Sequence, residues 1–262
     1  MFDFKGKVVV ITGGETGIGR ATVEAFARAG GQVIIAGYLE DQGEDVVKSL
    51  ASEGLSVEFI KTDVQQESSV DNVVSSVTAK HGRIDVLVNN ASVFDGFAGV
   101  LETSNALWEK VINTNLRGTF YFCRAVLKGM VARGEGRIVN VSSVGGIIGG
   151  ADGLAYTASK FGVIGLTRQM AVELTKTGVG INAVCPGMIQ TDMRGNSARI
   201  LGDTAPDMAR GVGVNPDALK RVPAGRKGVP LDIANAIMFA ASPYANYMAG
   251  HSLVIDAGWT VQ

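Results

Sequence analysis

The sequence predicts an α/β fold: a doubly wound parallel sheet of about seven strands with helices on both faces, in a single domain. Three observations predict it. Short β-branched apolar runs alternate with longer amphipathic stretches along the 262 residues, the rhythm of strand–helix–strand units. Several runs are apolar throughout, as strands covered on both faces require. A glycine-rich turn joins the first run to the first helical stretch.

In chain order, Val8-Val9-Val10-Ile11 opens a strand at 8–12, followed by a helix at 18–29. Val33-Ile34-Ile35 marks a strand at 33–36 and the acidic start at Glu40 a helix at 40–53. A strand at 57–61, a helix at 66–81 and a strand at 86–88 continue the alternation. One long helix is expected over 105–132, then a strand at 138–141 and a helix at 156–175. The last elements are a strand at 181–184, a helix at 231–241 and a strand at 253–255. The segment 188–228 breaks the rhythm with Gly, Pro, Met and Arg. A connection that long inside a compact domain is usually functional, and this one follows the sixth strand, so it is read as a substrate lid.

Composition narrows the function. A net charge of −1, with both signs mixed along the chain, supplies no basic patch for nucleic acid or an anionic membrane. No apolar run reaches the roughly 18 residues of a membrane span, and no secretory signal is evident. Cys123 and Cys185 are far apart and read as buried thiols of a reducing, cytoplasmic protein. His81 and His251 sit in no metal-binding spacing, so no metal is expected.

The turn Gly13-Gly14-Glu15-Thr16-Gly17-Ile18-Gly19 is the first functional signal. Glycines let the backbone approach a pyrophosphate, and the helix that follows presents free N–H groups and a favourable dipole. The spacing is G-x-x-x-G-x-G rather than the commoner G-x-G-x-x-G. The ribose end is less regular. Gly37 stands where an NAD-binding chain usually carries an acid, and Glu40 and Asp41 come late. No Arg or Lys occurs between Gln32 and Val47 to meet a 2′-phosphate. NAD(H) is favoured, with NADP(H) left open.

The second signal is Tyr156-Thr157-Ala158-Ser159-Lys160. Four residues apart on a helix, the phenol and the ammonium share one face. A tyrosine titrates near ~10 unless its surroundings change it, and a neighbouring Lys⁺ favours the phenolate. Thirteen residues upstream, Ser142 and Ser143 end an apolar run, where a hydroxyl can donate to a substrate oxygen. Asn113 and Asn115 lie inside an otherwise apolar helical stretch, costly places for an amide.

On these residues the chain resembles the short-chain dehydrogenases/reductases, in the branch of about 250 residues. The ordered matches are Thr12-Gly13-x-x-x-Gly17-Ile18-Gly19, Asp63-Val64, Asn89-Asn90-Ala91, Asn115, Ser143, Tyr156-x-x-x-Lys160, Pro186-Gly187 and Asp256-Ala257-Gly258-Trp259. The resemblance implies a Rossmann-type sheet and hydride transfer between a nicotinamide and a secondary alcohol or ketone. It implies that Tyr156 transfers the proton, that Ser143 rather than Ser142 bonds the substrate oxygen, and that Lys160 lowers the phenol pKa and holds the ribose. Asn115 would support a water in a relay to Lys160. Gly13, Gly17, Ile18 and Gly19 would hold the pyrophosphate, and Asp63 and Val64 the adenine. Asn90 and Pro186 would line the cofactor cleft, with Ile189 and Thr191 at the carboxamide. Family members usually carry Gly where this chain has Ser92. Family habit also implies a homotetramer, built on the long helices.

Candidate walls of the substrate pocket are Phe94, Phe97, Ile148, Met188 and Met193, which suggest an apolar alcohol or ketone. Asp152 and Arg194 are expected to be solvated. The alternatives weighed are a 3-oxoacyl-carrier-protein reductase and a non-catalytic dinucleotide sensor.

Overall fold

A computed structural model describes residues 2–210 and 216–261. The middle of the expected lid, 211–215, lies outside the described residues. Seven parallel strands are described, and each predicted run is one of them: β1 (Val8–Thr12), β2 (Gln32–Gly37), β3 (Val57–Lys61), β4 (Val86–Asn89), β5 (Gly136–Val141), β6 (Val179–Pro186) and β7 (Ser252–Ile255). Their hydrogen-bonded order is β3-β2-β1-β4-β5-β6-β7. The order reverses between β1 and β4, and the crevice for a ligand opens above the carboxyl ends there.

The helices are α1 (Gly17–Arg28), α2 (Glu40–Ser52), α3 (Glu67–His81), α4 (Asn105–Ile112), α5 (Gly118–Arg133), α6 (Leu154–Leu174), α7 (Met193–Leu201) and α8 (Pro230–Ala241). Alternation along β1 divides the core. Val9 and Ile11 point to one face, where Val23 and Phe26 of α1, Val46 and Leu50 of α2, and Ile233 and Ile237 of α8 cover them. Val8 and Val10 point to the other, under Val70 and Val73 of α3, Phe122 and Val126 of α5, and Met170 of α6. Covering both faces is what makes these strands apolar at every position.

Among the helices, the structure differs from the sequence reading in two places. The single helix expected over 105–132 is two helices, α4 and α5, joined by a wide π turn at Asn113–Arg117. The physical reason is Asn115. Its amide oxygen accepts from Val93 N at 2.8 Å and its nitrogen donates to Val93 O at 3.0 Å, so a loop beyond β4 is stitched to the bulge. In the 188–228 segment the chain forms α7, and Ile189 pairs in parallel with Gly228 across the base of the excursion. That helix escapes a periodicity reading because it is nine residues long and holds Arg194, Gly195, Asn196 and Arg199.

Candidate active site

The loops at the carboxyl ends of β1 to β6 enclose a cleft of about 1200 Å³, counted with the solvent at its mouth. Of the sequence-predicted residues it is lined by Gly13, Gly17, Ile18, Asp63, Val64, Asn90, Ser143, Tyr156, Lys160, Pro186, Ile189 and Thr191. Gly19 and Asn115 stand behind that lining.

The glycine turn is held by close backbone contact. A Cβ on Gly19 would lie 1.9 Å from the Gly13 carbonyl oxygen, and one on Gly13 would lie 2.9 Å from Ala91 Cα. Gly13 and Gly17 also have φ values of 63° and 51°, in the left-handed region. Asn90 braces the turn instead of merely facing the cleft: its Nδ2 donates to Thr12 O at 3.1 Å and Gly13 O at 2.9 Å. No side chain caps the N-terminus of α1. Its first N–H groups are therefore available to an anion.

Glu15 takes an unexpected part. Only 5% exposed, it accepts with Oε1 from the Tyr38 and Leu39 N–H groups at 3.0 and 3.2 Å. Its Oε2 is buried without a hydrogen-bond partner and lies 2.6 Å from where Gly37 would carry a Cβ. Burial pushes its pKa up, against the backbone hydrogen bonds. The register Gly37↔Lys61 brings in a cation from outside the 32–47 stretch. Lys61 Nζ lies 4.8 Å from the Tyr38 ring centre and donates to Tyr38 O.

At the other end, Tyr156 and Lys160 share one face of α6, with Lys160 Nζ 5.2 Å from the phenol ring centre. Both are buried, and Lys160 Nζ donates to Val141 O at 2.9 Å. Burial lowers the Lys160 pKa to about 8. Burial also pushes Tyr156 above its usual range, the charge of Asp152 pushes the same way, and the Ser92 hydroxyl opposes them. The net direction in the chain by itself is therefore upward. The chain's own groups keep Tyr156 protonated, because loss of water disfavours the phenolate and the charge of Asp152 adds to it.

Ser142 and Ser143 are distinguished by their partners. Ser142 Oγ donates to Lys160 O at 2.9 Å, a link between β5 and α6. Ser143 Oγ accepts from Gly145 N at 3.0 Å and donates to Asp152 Oδ2 at 3.2 Å. The second amide proton of Asn115 goes to Ser159 Oγ at 3.1 Å, so both side-chain donors are used within the protein.

Of the proposed walls, Met193 lines the cleft. Phe94 stands edge-on to Tyr156 with ring centres 5.4 Å apart, and Phe97 packs edge-on to Phe94. Ile148 and Met188 instead pack against Val144, Ala151 and Trp259. Asp152 and Arg194 are not the solvated groups expected. Burial raises the Asp152 carboxyl to about 6, and the Arg194 guanidinium lies 5.3 Å from the ring centres of both Phe94 and Phe97.

The profile of the short chain dehydrogenase family matches residues 7–200. The chain belongs to the short-chain dehydrogenase/reductase family. It is an oxidoreductase with NAD(P) as its cofactor. It is 39% identical over 259 residues to a 3-oxoacyl-[acyl-carrier-protein] reductase of Thermotoga maritima, covering 98% of this chain and 99% of that one. A 3beta-hydroxysteroid dehydrogenase 2 of Eggerthella lenta is 34% identical, with 97% and 95% covered. Among solved structures, a putative NAD(P) dependent gluconate 5-dehydrogenase from Beutenbergia cavernae, with NADP bound at low occupancy, has a TM-score of 0.87. It is 36% identical and covers 100% of this chain and 99% of that chain.

The site fits a dinucleotide: Gly13 with Gly19 packed close behind it, the uncapped start of α1 and Glu15 with its orphaned Oε2 line one cleft. Gly19→Ala is therefore expected to raise the Kd for reduced nicotinamide nucleotide by about 10–100-fold, the worth of an unrelieved backbone clash. Nucleotide fluorescence titration measures it. Gly149→Ala, whose Cβ would meet nothing within 4 Å, should leave the Kd unchanged.

Proposed function

We propose that this dehydrogenase interconverts an apolar secondary alcohol and its ketone, with Tyr156 exchanging the proton on the substrate oxygen. The observation that carries the reading is the pairing of a buried phenol and a buried ammonium on one face of α6, both lining the cleft. When bound, the nicotinamide gives or takes the hydride. Ser143 holds the substrate oxygen, Lys160 holds the nicotinamide ribose, and Phe94 with Met193 forms the apolar wall beside the reacting carbon. Asp63 and Val64 hold the adenine, and Ile189 and Thr191 the carboxamide. Asn115 acts through Val93, whose backbone it fixes beside Ser92. Residues 188–228 serve as the lid over the substrate.

Protonated Tyr156 is the acid that ketone reduction needs; alcohol oxidation needs the phenolate, which the positive charge of an oxidised nicotinamide favours. Tyr156→Phe should lower kcat by about 10²–10⁴-fold with nucleotide affinity retained. The assay is a panel built on the relatives' chemistries: a 3-oxobutanoyl thioester, a 3-ketosteroid and 5-ketogluconate. Full activity in the variant would remove Tyr156 from the mechanism.

We also favour NAD(H) over NADP(H). The support is Glu15, a carboxyl whose unused oxygen suits a ribose hydroxyl and, when ionised, opposes a phosphate. Glu40 and Asp41 add the same sign, and Lys61 is drawn to Tyr38 O and to Glu40 at 4.0 Å. kcat/KM should favour NADH by about tenfold or more, the worth of a charge-assisted hydrogen bond, and Glu15→Gln should narrow that margin. A preference for NADPH in the native chain would reverse the assignment.

A cytoplasmic homotetramer is the assembly we propose. Phe120 on α5, with Phe161 and Val172 on α6, is exposed, as a helix-to-helix interface requires. Light scattering should give about four times the 27.3 kDa of one chain.

A further inference from the structure

The end of the cleft that holds Tyr156 also contains a carboxyl group, Asp152. Asp152 sits in the loop between β5 and α6, four residues before Tyr156. Its Oδ2 accepts the Ser143 hydroxyl at 3.2 Å. The fold makes room for it: a Cβ on Gly145 would fall 2.0 Å from that same Oδ2. The carboxyl is thus built in beside Ser143.

A serine hydroxyl has one proton to give. Gly145 N–H already occupies one Ser143 lone pair, and the Ser143 proton points to Asp152. In that arrangement Ser143 meets a substrate oxygen as an acceptor only. A ketone oxygen has no proton to offer, so it gains nothing from Ser143 until the serine proton is released.

We propose that Asp152 is a positioning residue that sets the direction of the Ser143 hydroxyl. As a carboxylate it holds the serine proton. As an acid it donates to Ser143 Oγ, and Ser143 then donates to the carbonyl oxygen. This inference rests on the reading of Ser143 as the group that touches substrate. The charged and titratable groups facing Asp152 are Asp95 from the loop after β4, Lys160 and Tyr156 from α6, and Arg194 from α7. Burial outweighs the two cations and holds the carboxyl at about 6, so the change falls within an accessible pH range. A carboxyl raised in this way is protonated below that value. Ketone reduction therefore weakens as pH rises through it. Alcohol oxidation passes through the same transition state in reverse, so the same requirement for the acid form of Asp152 enters its profile.

The test is the pH profile of kcat/KM from pH 5 to 8, in both directions, with the ketone of the panel that turns over fastest and its alcohol. Wild type should lose reduction efficiency through a midpoint near 6. Asp152→Asn, whose amide donates to Ser143 at every pH, should lack that limb and exceed wild type at pH 8 by about tenfold or more in reduction. Asp152→Ala, which leaves Ser143 free to turn, should also lose the limb. The inference is overturned if Asp152→Asn keeps the wild-type midpoint. It is equally overturned if both variants fold, by unchanged circular dichroism and nucleotide Kd, yet reduce slowly at every pH. An inactive Tyr156→Phe beside an unaltered Asp152→Asn profile would sink this inference alone, whereas a fully active Tyr156→Phe would sink the parent reading.

Discussion

The site depends on one junction, where the carboxyl ends of β1 and β4 are tied together. Thr12 Oγ1 accepts the Asn90 and Ala91 N–H groups, both at 3.0 Å, while the Asn90 side chain donates back to Thr12 O and Gly13 O. These bonds fix the glycine turn where strand order reverses. They also explain why Gly13 and Gly19 tolerate no side chain: Ala91, Asn90 and the Gly13 carbonyl occupy the space a Cβ would need. The uncapped start of α1 and the loop that includes Ser92 and Val93 diverge from this junction. Both line the cleft.

Burial governs the chemistry at the reacting end more than pairing does. Tyr156, Lys160 and Asp152 are all pushed toward their neutral forms by loss of water. Such a site holds protons it can trade, rather than fixed charges. Around it the protein spends its polar groups on rigidity. Asn115 is tied to Val93 and Ser159, Ser142 to the Lys160 carbonyl, and Asp95 accepts the Tyr156 N–H at 2.8 Å. The reactive side chains are thereby held in place by neighbours that need not touch a substrate themselves.

The sequence by itself determined the seven strands, their parallel order as a class, the glycine turn and the shared face of Tyr156 and Lys160. These follow from local regularities: apolar runs, glycine spacing and a four-residue helical step. The tertiary structure alone decided the π turn at Asn115, because its cause is Val93, 22 residues away. It also decided the placement of Lys61 beside Tyr38, which comes from strand register, and the contact between Ser143 and Asp152, which comes from the fold of a loop. The direction of the Tyr156 shift belongs with these. A neighbour's charge can be read from spacing, but the loss of water that disfavours the phenolate exists only once the chain has closed around the phenol.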